Sequence, residues 1–403
     1  MPRTPRARRR ATAALVCALA ALPCVPAAAA PAGSGDVPVD LLRRTGDRLV
    51  LETVTAPDAA AARHLAARLT EDESVSSAAP RTTYHLAPGT TEPLGVRASA
   101  GTDPFLDRAG HLEEVDAPAA WPTTTGDGLT VAVLDSGVDP TAPDLAGRVL
   151  PGANFASGTD VGTHGTQVAT VLAGAYGNGV GAAGVAPGVD VLPVRVCTST
   201  GCPGSAVAQG IVWATDHGAD VLNLSLGGET YSAVTADAVA YATGKGVVVV
   251  AAAGNSGDTG NPVEYPASYP GVVSASASAV GGGAAPWAQH NTAVDVSAPG
   301  EQIPAGGPAS QGHRYFAVTG TSFSAPQVAA AAALVRSVNR TATAAQVEEL
   351  LRSTASPRPS WPAGYGAGML DVAAAVRAAA VPVPVSTPAP VPVVPRRARA
   401  VHR

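Results

Sequence analysis

Three short segments carry the residue types of an activated nucleophile. Val131-Ala132-Val133-Leu134-Asp135-Ser136-Gly137 places an acid at the end of an apolar run, and the carboxyl ends of buried strands are where open α/β sheets gather their sites. Gly162-Thr163-His164-Gly165-Thr166 sets a histidine between glycines at the start of a small-residue helix. Gly320-Thr321-Ser322-Phe323-Ser324-Ala325-Pro326 sets a serine on a tight turn opening a helix through Val335, with Pro326 expected in its first turn. Each segment alone also fits a plainer role as a helix cap or turn. Together they supply an orienting acid, a base and a nucleophile in the order Asp, His, Ser. A serine hydroxyl is a weak nucleophile until a neutral imidazole takes its proton, so the expected chemistry is hydrolysis through a covalent serine intermediate.

The elements that must position these residues alternate over the middle of the chain. Short apolar runs at Val131–Leu134, Asp190–Val196, Val221–Leu226, Val247–Ala252 and Val272–Ser276 are separated by Ala-rich helical stretches. That is the sequence form of a parallel α/β sheet. Ahead of it, residues 31–86 form a small unit: a strand at Leu49–Val54, a helix over Pro57–Leu69 with Asp58 near its start, and a β-like segment over Val75–Leu86. Residues 87–109 read as a linker, because Pro88–Asp103 is rich in Gly, Thr and Pro without periodicity. The main domain spans 110–380, and residues 381–403 form a Pro-rich basic tail with six prolines, expected to be extended.

Composition narrows the function. The 403 residues carry 26 Lys+Arg against 31 Asp+Glu, a net charge of −5, which argues against a nucleic-acid partner. Residues 1–30 read as a secretory signal: Arg3, Arg6, Arg8, Arg9 and Arg10, then an apolar Ala11–Leu22, then small residues at Ala27–Ala30. The apolar stretch is too short to span a membrane, which takes about 20 residues. Without the signal the chain holds 21 Lys+Arg against 31 Asp+Glu, about −10. Cys197 and Cys202, bracketing Thr-Ser-Thr-Gly in an exported chain, are expected to form a disulfide.

The three segments resemble those of the subtilase family of secreted subtilisin-like serine proteases, over roughly residues 110–380. The rival Gly-x-Ser-x-Gly turn of other serine hydrolases is not matched, since Ser322 lies in Gly-Thr-Ser-Phe-Ser. The resemblance implies a three-layer, doubly wound, mostly parallel α/β sheet preceded by a small α+β inhibitory propeptide. It implies a secreted, monomeric serine endopeptidase made as a self-processing zymogen, with polypeptide substrates, its own propeptide as an intramolecular inhibitor, and no transmembrane segment. The basic tail adds a potential tie to the cell wall.

The same resemblance assigns roles. Asp135, His164 and Ser322 would be catalytic, and Asn255, in Ala251-Ala252-Ala253-Gly254-Asn255, would donate its amide to the oxyanion. Ser225, Leu226 and Gly227 would pair with an extended substrate, and Ala252, Ala253 and Gly254 would wall the primary specificity pocket. Glu264 stands at the base of that pocket, where the family often has a small residue, so it either selects basic side chains or is a solvated loop glutamate. Asp144 and Asn178 fall where the family holds a structural calcium; no catalytic cofactor is implied. Processing would fall between Leu86 and Asp103, with Leu86 and Arg97 as rival cut points. A non-enzymatic scaffold would be expected to have lost one of Asp135, His164, Ser322 or Asn255, and none is lost.

Overall fold

The structure is a computed structural model that describes residues 35–86, 89–95, 102–159, 161–357 and 361–380. The signal, Arg97 and the basic tail lie outside the described residues.

The small leading unit is built from β1 (Val37–Thr45), β2 (Arg48–Ala56), α1 (Ala59–Leu69) and β3 (Val75–Pro80). Asp58 caps α1, accepting a hydrogen bond from the Ala61 N–H. The antiparallel sheet runs β2-β1-β3, and Val39, Ala56, Ala62 and Ala66 close a core between it and α1. Buried Asp40 pairs with Arg81 at 2.6 Å and accepts from Thr53 at 2.8 Å. Strand β1 carries no alternation clear enough to have been expected, yet it is the central strand of this sheet.

Beyond it come β4 (Thr83–Leu86), β5 (Thr90–Gly95), α2 (Gly110–Glu114) and α3 (Ala117–Ala120). The stretch expected to be a linker therefore contains a strand. The main domain continues with β6 (Thr130–Asp135), β7 (Ala153–Asn154), α4 (Thr163–Ala173), β8 (Asp190–Arg195), β9 (Cys202–Pro203), α5 (Gly204–Asp216), β10 (Val221–Leu224), β11 (Leu226–Gly227), α6 (Ala233–Gly244), β12 (Val248–Ala252) and β13 (Val272–Ser278). It ends with β14 (Val296–Pro299), β15 (Ile303–Gly306), β16 (Tyr315–Thr319), α7 (Thr321–Val338), α8 (Ala344–Ser353) and α9 (Val372–Ala380).

A seven-stranded parallel sheet, β14-β13-β12-β10-β6-β8-β7, forms the middle layer. Its strands are apolar throughout because both faces are covered. Val131 and Val133 of β6 face the core shared with α4 and α7, while Ala132 and Leu134 face the core under α5 and α6. Strand order reverses about β6, whose neighbours β8 and β10 both follow it in sequence. Asp135, the last residue of β6, thus stands at the switch point.

Helix α7 is buried on every side from Thr321 through Val335, which accounts for its Ala-rich sequence. Pro326 is the sixth helical residue rather than part of the first turn, so it removes a backbone donor from the helix interior. The orphaned acceptor is the carbonyl of Ser322, which instead receives the Ser225 hydroxyl at 2.8 Å.

Helix α4 docks on the end of β6 through Gly165, where a Cβ would run into the Gly137 carbonyl and reach 3.1 Å from the Asp135 Cβ. Alanine normally favours a helix by about 1 kcal/mol over glycine. Here Gly165→Ala is expected to destabilise by about 1–3 kcal/mol. A midpoint of urea unfolding at or above the unsubstituted value would contradict this close approach.

Candidate active site

The switch point presents a carboxylate with no exposure to water. Asp135 accepts from the Ser136 N–H at 2.6 Å, and its two oxygens lie 3.0 and 2.9 Å from His164 Nδ1. A buried carboxylate needs donors, and the Nδ1–H of a neutral imidazole supplies one. That tautomer leaves Nε2 as an acceptor. In this structure Nε2 is buried without a hydrogen-bond partner, beside the Phe323 ring, whose centroid is 5.5 Å from that of His164.

Ser322 is the second residue of α7, fully buried, at a helix start where backbone N–H groups lack intrahelical acceptors. Its hydroxyl donates to the Ser225 carbonyl at 3.3 Å, so no hydrogen bond joins it to His164. Hydrogen bonds between nucleophile and base commonly form only when substrate is in place. Next to it, Asn255 Oδ1 accepts from the Thr321 N–H at 2.9 Å and the Thr321 hydroxyl at 2.8 Å. With its oxygen so engaged, the amide nitrogen is turned toward Gly320, where a Cβ would come within 3.2 Å of it. Gly320 has φ of 148°, a conformation suited to glycine. Sequence reasoning singled out Asn255 but not Thr321, which fixes its orientation.

Two strand edges flank Ser322, and both are occupied by the chain itself. Strand β4 lies between β11 and β9, pairing Leu86 with Leu226, His85 with Gly227, Tyr84 with Cys202 and Thr83 with Pro203. Tyr84 is buried, its hydroxyl 3.0 Å from that of Tyr269. Beyond residues 87–88, which lie outside the described residues, β5 pairs with β16, Thr90 opposite Thr319. Ser322 follows three residues after Thr319. The expected pairing strand, Leu226 and Gly227, is therefore paired with a peptide, whereas the Ser225 side chain serves the Ser322 carbonyl. Ala252 ends β12 and Ala253 follows it to Gly254, both alanines buried. The Glu264 carboxylate stands between Gly254 and Gly227, within 2.5 Å of where a Cβ on either would lie. Cys197 and Cys202 form the expected disulfide, immediately ahead of β4's partner Pro203.

Asp144 and Asn178 are brought together, with Asn178 Nδ2 donating to Asp144 Oδ1 at 3.1 Å. Asp144 Oδ2 is buried without a hydrogen-bond partner, and burial pushes its carboxyl up to about 7. Asp103, which sequence reasoning did not single out, braces the same loop by accepting from Gly177 and Gly179 N–H groups at 2.7 and 3.0 Å. Among the described residues no three His, Cys, Asp or Glu side chains gather as a metal cluster. An orphaned carboxylate oxygen and a neighbouring loop with positive φ at Gly177, Gly179 and Gly181 nonetheless fit a hard cation that takes oxygen ligands.

Similar proteins share this arrangement of elements. The family profile described as the subtilase family matches residues 126–368. Subtilisin Savinase of Lederbergia lenta is 39% identical over 272 residues, covering 66% of this chain and 97% of that protein. Subtilisin of Bacillus pumilus is 40% identical over 275 residues, 66% of this chain and 98% of its own. Among solved structures, a protease of Pseudoalteromonas arctica PAMC 21717 matches with TM-score 0.64 and 32% identity, over 70% of this chain and 100% of its own. Fervidolysin from Fervidobacterium pennivorans, a keratinolytic enzyme, matches with TM-score 0.72 and 26% identity over 87% of this chain and 62% of its own.

The disulfide closes a loop beside β9, so its removal frees that loop in the unfolded chain. Replacing Cys197 and Cys202 together by Ser is expected to cost about 2 kcal/mol for a loop this short. Calorimetric unfolding with and without the pair measures it; equal stabilities would show that the bridge contributes nothing to the fold.

Proposed function

The chain belongs to the subtilase family and is a serine endopeptidase, and from that premise we propose that it is an exported zymogen whose catalysis rests on Asp135, His164 and Ser322. The observation that carries the assignment is the pair formed by unexposed Asp135 and His164 Nδ1, which leaves a buried, unpartnered Nε2 on a ring that packs against Phe323, the residue after Ser322. His164 takes the Ser322 proton as the hydroxyl attacks the carbonyl of the bound peptide, and Asp135 stabilises the imidazolium that forms. The Asn255 amide and the Ser322 N–H hold the oxyanion. His164 then returns the proton to the leaving amine, and water attacks the acyl-enzyme by the same route in reverse.

Residues 31–86 act as the inhibitor. In support, β4 lies in the cleft as an added strand, and Ser77 reaches Asp237 of α6 at 2.9 Å. Main-chain pairing of this kind gives affinity whatever the side chains, and the fervidolysin match extends over more of the chain than the main domain alone. Export is supported by the leading basic and apolar residues, and among the described residues no helix is long and apolar enough to cross a membrane.

The matured protein is expected to react with a fluorophosphonate at Ser322, and Ser322→Ala to abolish labelling. Asn255→Ala is expected to lower kcat by about 10²–10³-fold, the loss that removing one such donor produces in a subtilisin. Unreacted Ser322, or near-normal turnover by the Asn255 variant, overturns the assignment.

Calcium is the cation proposed for the Asp144 site, with Asp144 and Asn178 as ligands, where its charge would neutralise the buried carboxylate. Chelation is expected to lower the melting temperature by several degrees, and Asp144→Asn to remove that difference. Identical melting curves in calcium and in chelator would exclude the site.

A further inference from the structure

The carboxylate of Glu264 is an acidic group set into the cleft that the proposed mechanism leaves unused. It is only partly exposed, and its oxygens lie against the glycines of two different elements: Oε2 toward Gly227 of β11, Oε1 toward Gly254 of the turn after β12. Any larger side chain at either glycine would collide with it, so the two absent side chains make the space it fills. Its position is fixed by a relay. Gln289 is fully buried, its Oε1 accepts from the Ser256 N–H at 2.7 Å, and its Nε2 therefore faces Glu264 Oε1 at 2.6 Å. The residue thus belongs to the cleft wall and is not a solvated loop glutamate.

No cation answers it. Among the described residues no Lys, Arg or His nitrogen lies within ion-pair distance of Glu264, though several carboxylates elsewhere are so paired. The groups packed around it are uncharged on β11, where Ser225 and Leu226 precede Gly227, and on the β12 turn, which offers Asn255 and Ser256. From the far loop His290 turns its Nδ1 to the Ala288 carbonyl at 2.9 Å. The charge that acts on Glu264 is that of Glu229, which repels it. A half-buried carboxylate held by one amide, with a like charge nearby, is poised to gain most from a partner that arrives with a substrate.

A peptide laid along β11 in the register of β4 places its residue after the Leu86 position opposite Ser225. That residue's carbonyl faces Ser322, whose hydroxyl touches the Ser225 carbonyl, and its side chain is directed toward the Glu264 carboxylate that sits between Gly227 and Gly254. Resting on the reading of this cleft as a serine peptidase site, we propose that Glu264 selects a cationic side chain, Arg or Lys, at the residue whose carbonyl is attacked, and that this selection strengthens as the pH rises through neutrality. Burial, with a smaller contribution from Glu229, pushes the Glu264 carboxyl up to about 7. Below that pH the group is neutral and gives a guanidinium no charge to meet; above it the carboxylate is formed. The guanidinium itself stays charged throughout.

The test uses the matured enzyme and two p-nitroanilide peptides that differ only in ending with Arg or Phe. The Phe peptide shares every pH dependence of turnover that does not involve Glu264, so the ratio of the two kcat/KM values isolates Glu264. That ratio is expected to rise about tenfold between pH 5.5 and 8.5 and, at the upper end, to fall about 10- to 100-fold in Glu264→Gln. In the variant it should also become independent of pH. A ratio that does not change with pH in the unsubstituted enzyme, or that Glu264→Gln leaves intact, overturns the inference. Fluorophosphonate labelling of Ser322 reports the peptidase reading separately, so the two can fail independently.

Discussion

A carboxylate sealed from water is the constraint around which this molecule is arranged. Asp135 has no exposure, and a charge so placed is tolerated only if donors surround it. One donor comes from the next residue; the other has to be the His164 ring, carried on a helix from across the sheet's edge. Helix α4 can come that close only because Gly162 and Gly165 offer no side chains where Ser136 and Gly137 already stand. The parallel sheet, the strand reversal at β6 and the glycine contacts are thus requirements of one hydrogen bond. The benefit is an imidazole whose outer nitrogen is an acceptor of known direction.

A second constraint comes from the helix that bears Ser322. Because α7 is buried on all sides, none of its polar backbone groups can turn to water, and Pro326 would leave the Ser322 carbonyl unpaired. The Ser225 hydroxyl takes that place, tying the turn that bears Ser322 to the segment that leads into β11, the partner of β4. The site is therefore coupled to the cleft through main-chain groups. The segment that follows the leading unit exploits the same edges: β4 and β5 add to open strands on either side of Ser322, which satisfies edge groups that a protein otherwise has to protect.

Much of this was legible in the residues, and the reasons for the remainder are physical. The strands of the parallel sheet declare themselves because burial on both faces demands continuous apolar runs, as in Val248–Ala252. Strand β1 hides charged residues among apolar ones, Asp40 being matched only by Arg81 far along the chain. Strand β5, in a stretch of Thr, Gly and Pro, has no strand pattern of its own and exists through pairing with β16. Pro326 looked like a helix-start residue because sequence does not reveal where the first turn begins. Thr321 and Gln289 carried no signal, since each acts by orienting another side chain.

What the sequence determined by itself was the chemistry: an acid at a strand end, a histidine between glycines, and a serine at a helix start are local patterns, each enforced by a turn that only certain residues can make. What the tertiary structure decided was which of those groups meet, and in what protonation and orientation. The unexposed state of Asp135, the unpartnered Nε2 of His164, and the seating of Glu264 between two glycines drawn from separate elements are all products of long-range packing. Desolvation depends on everything that surrounds a group, and a linear sequence names the group without naming its surroundings.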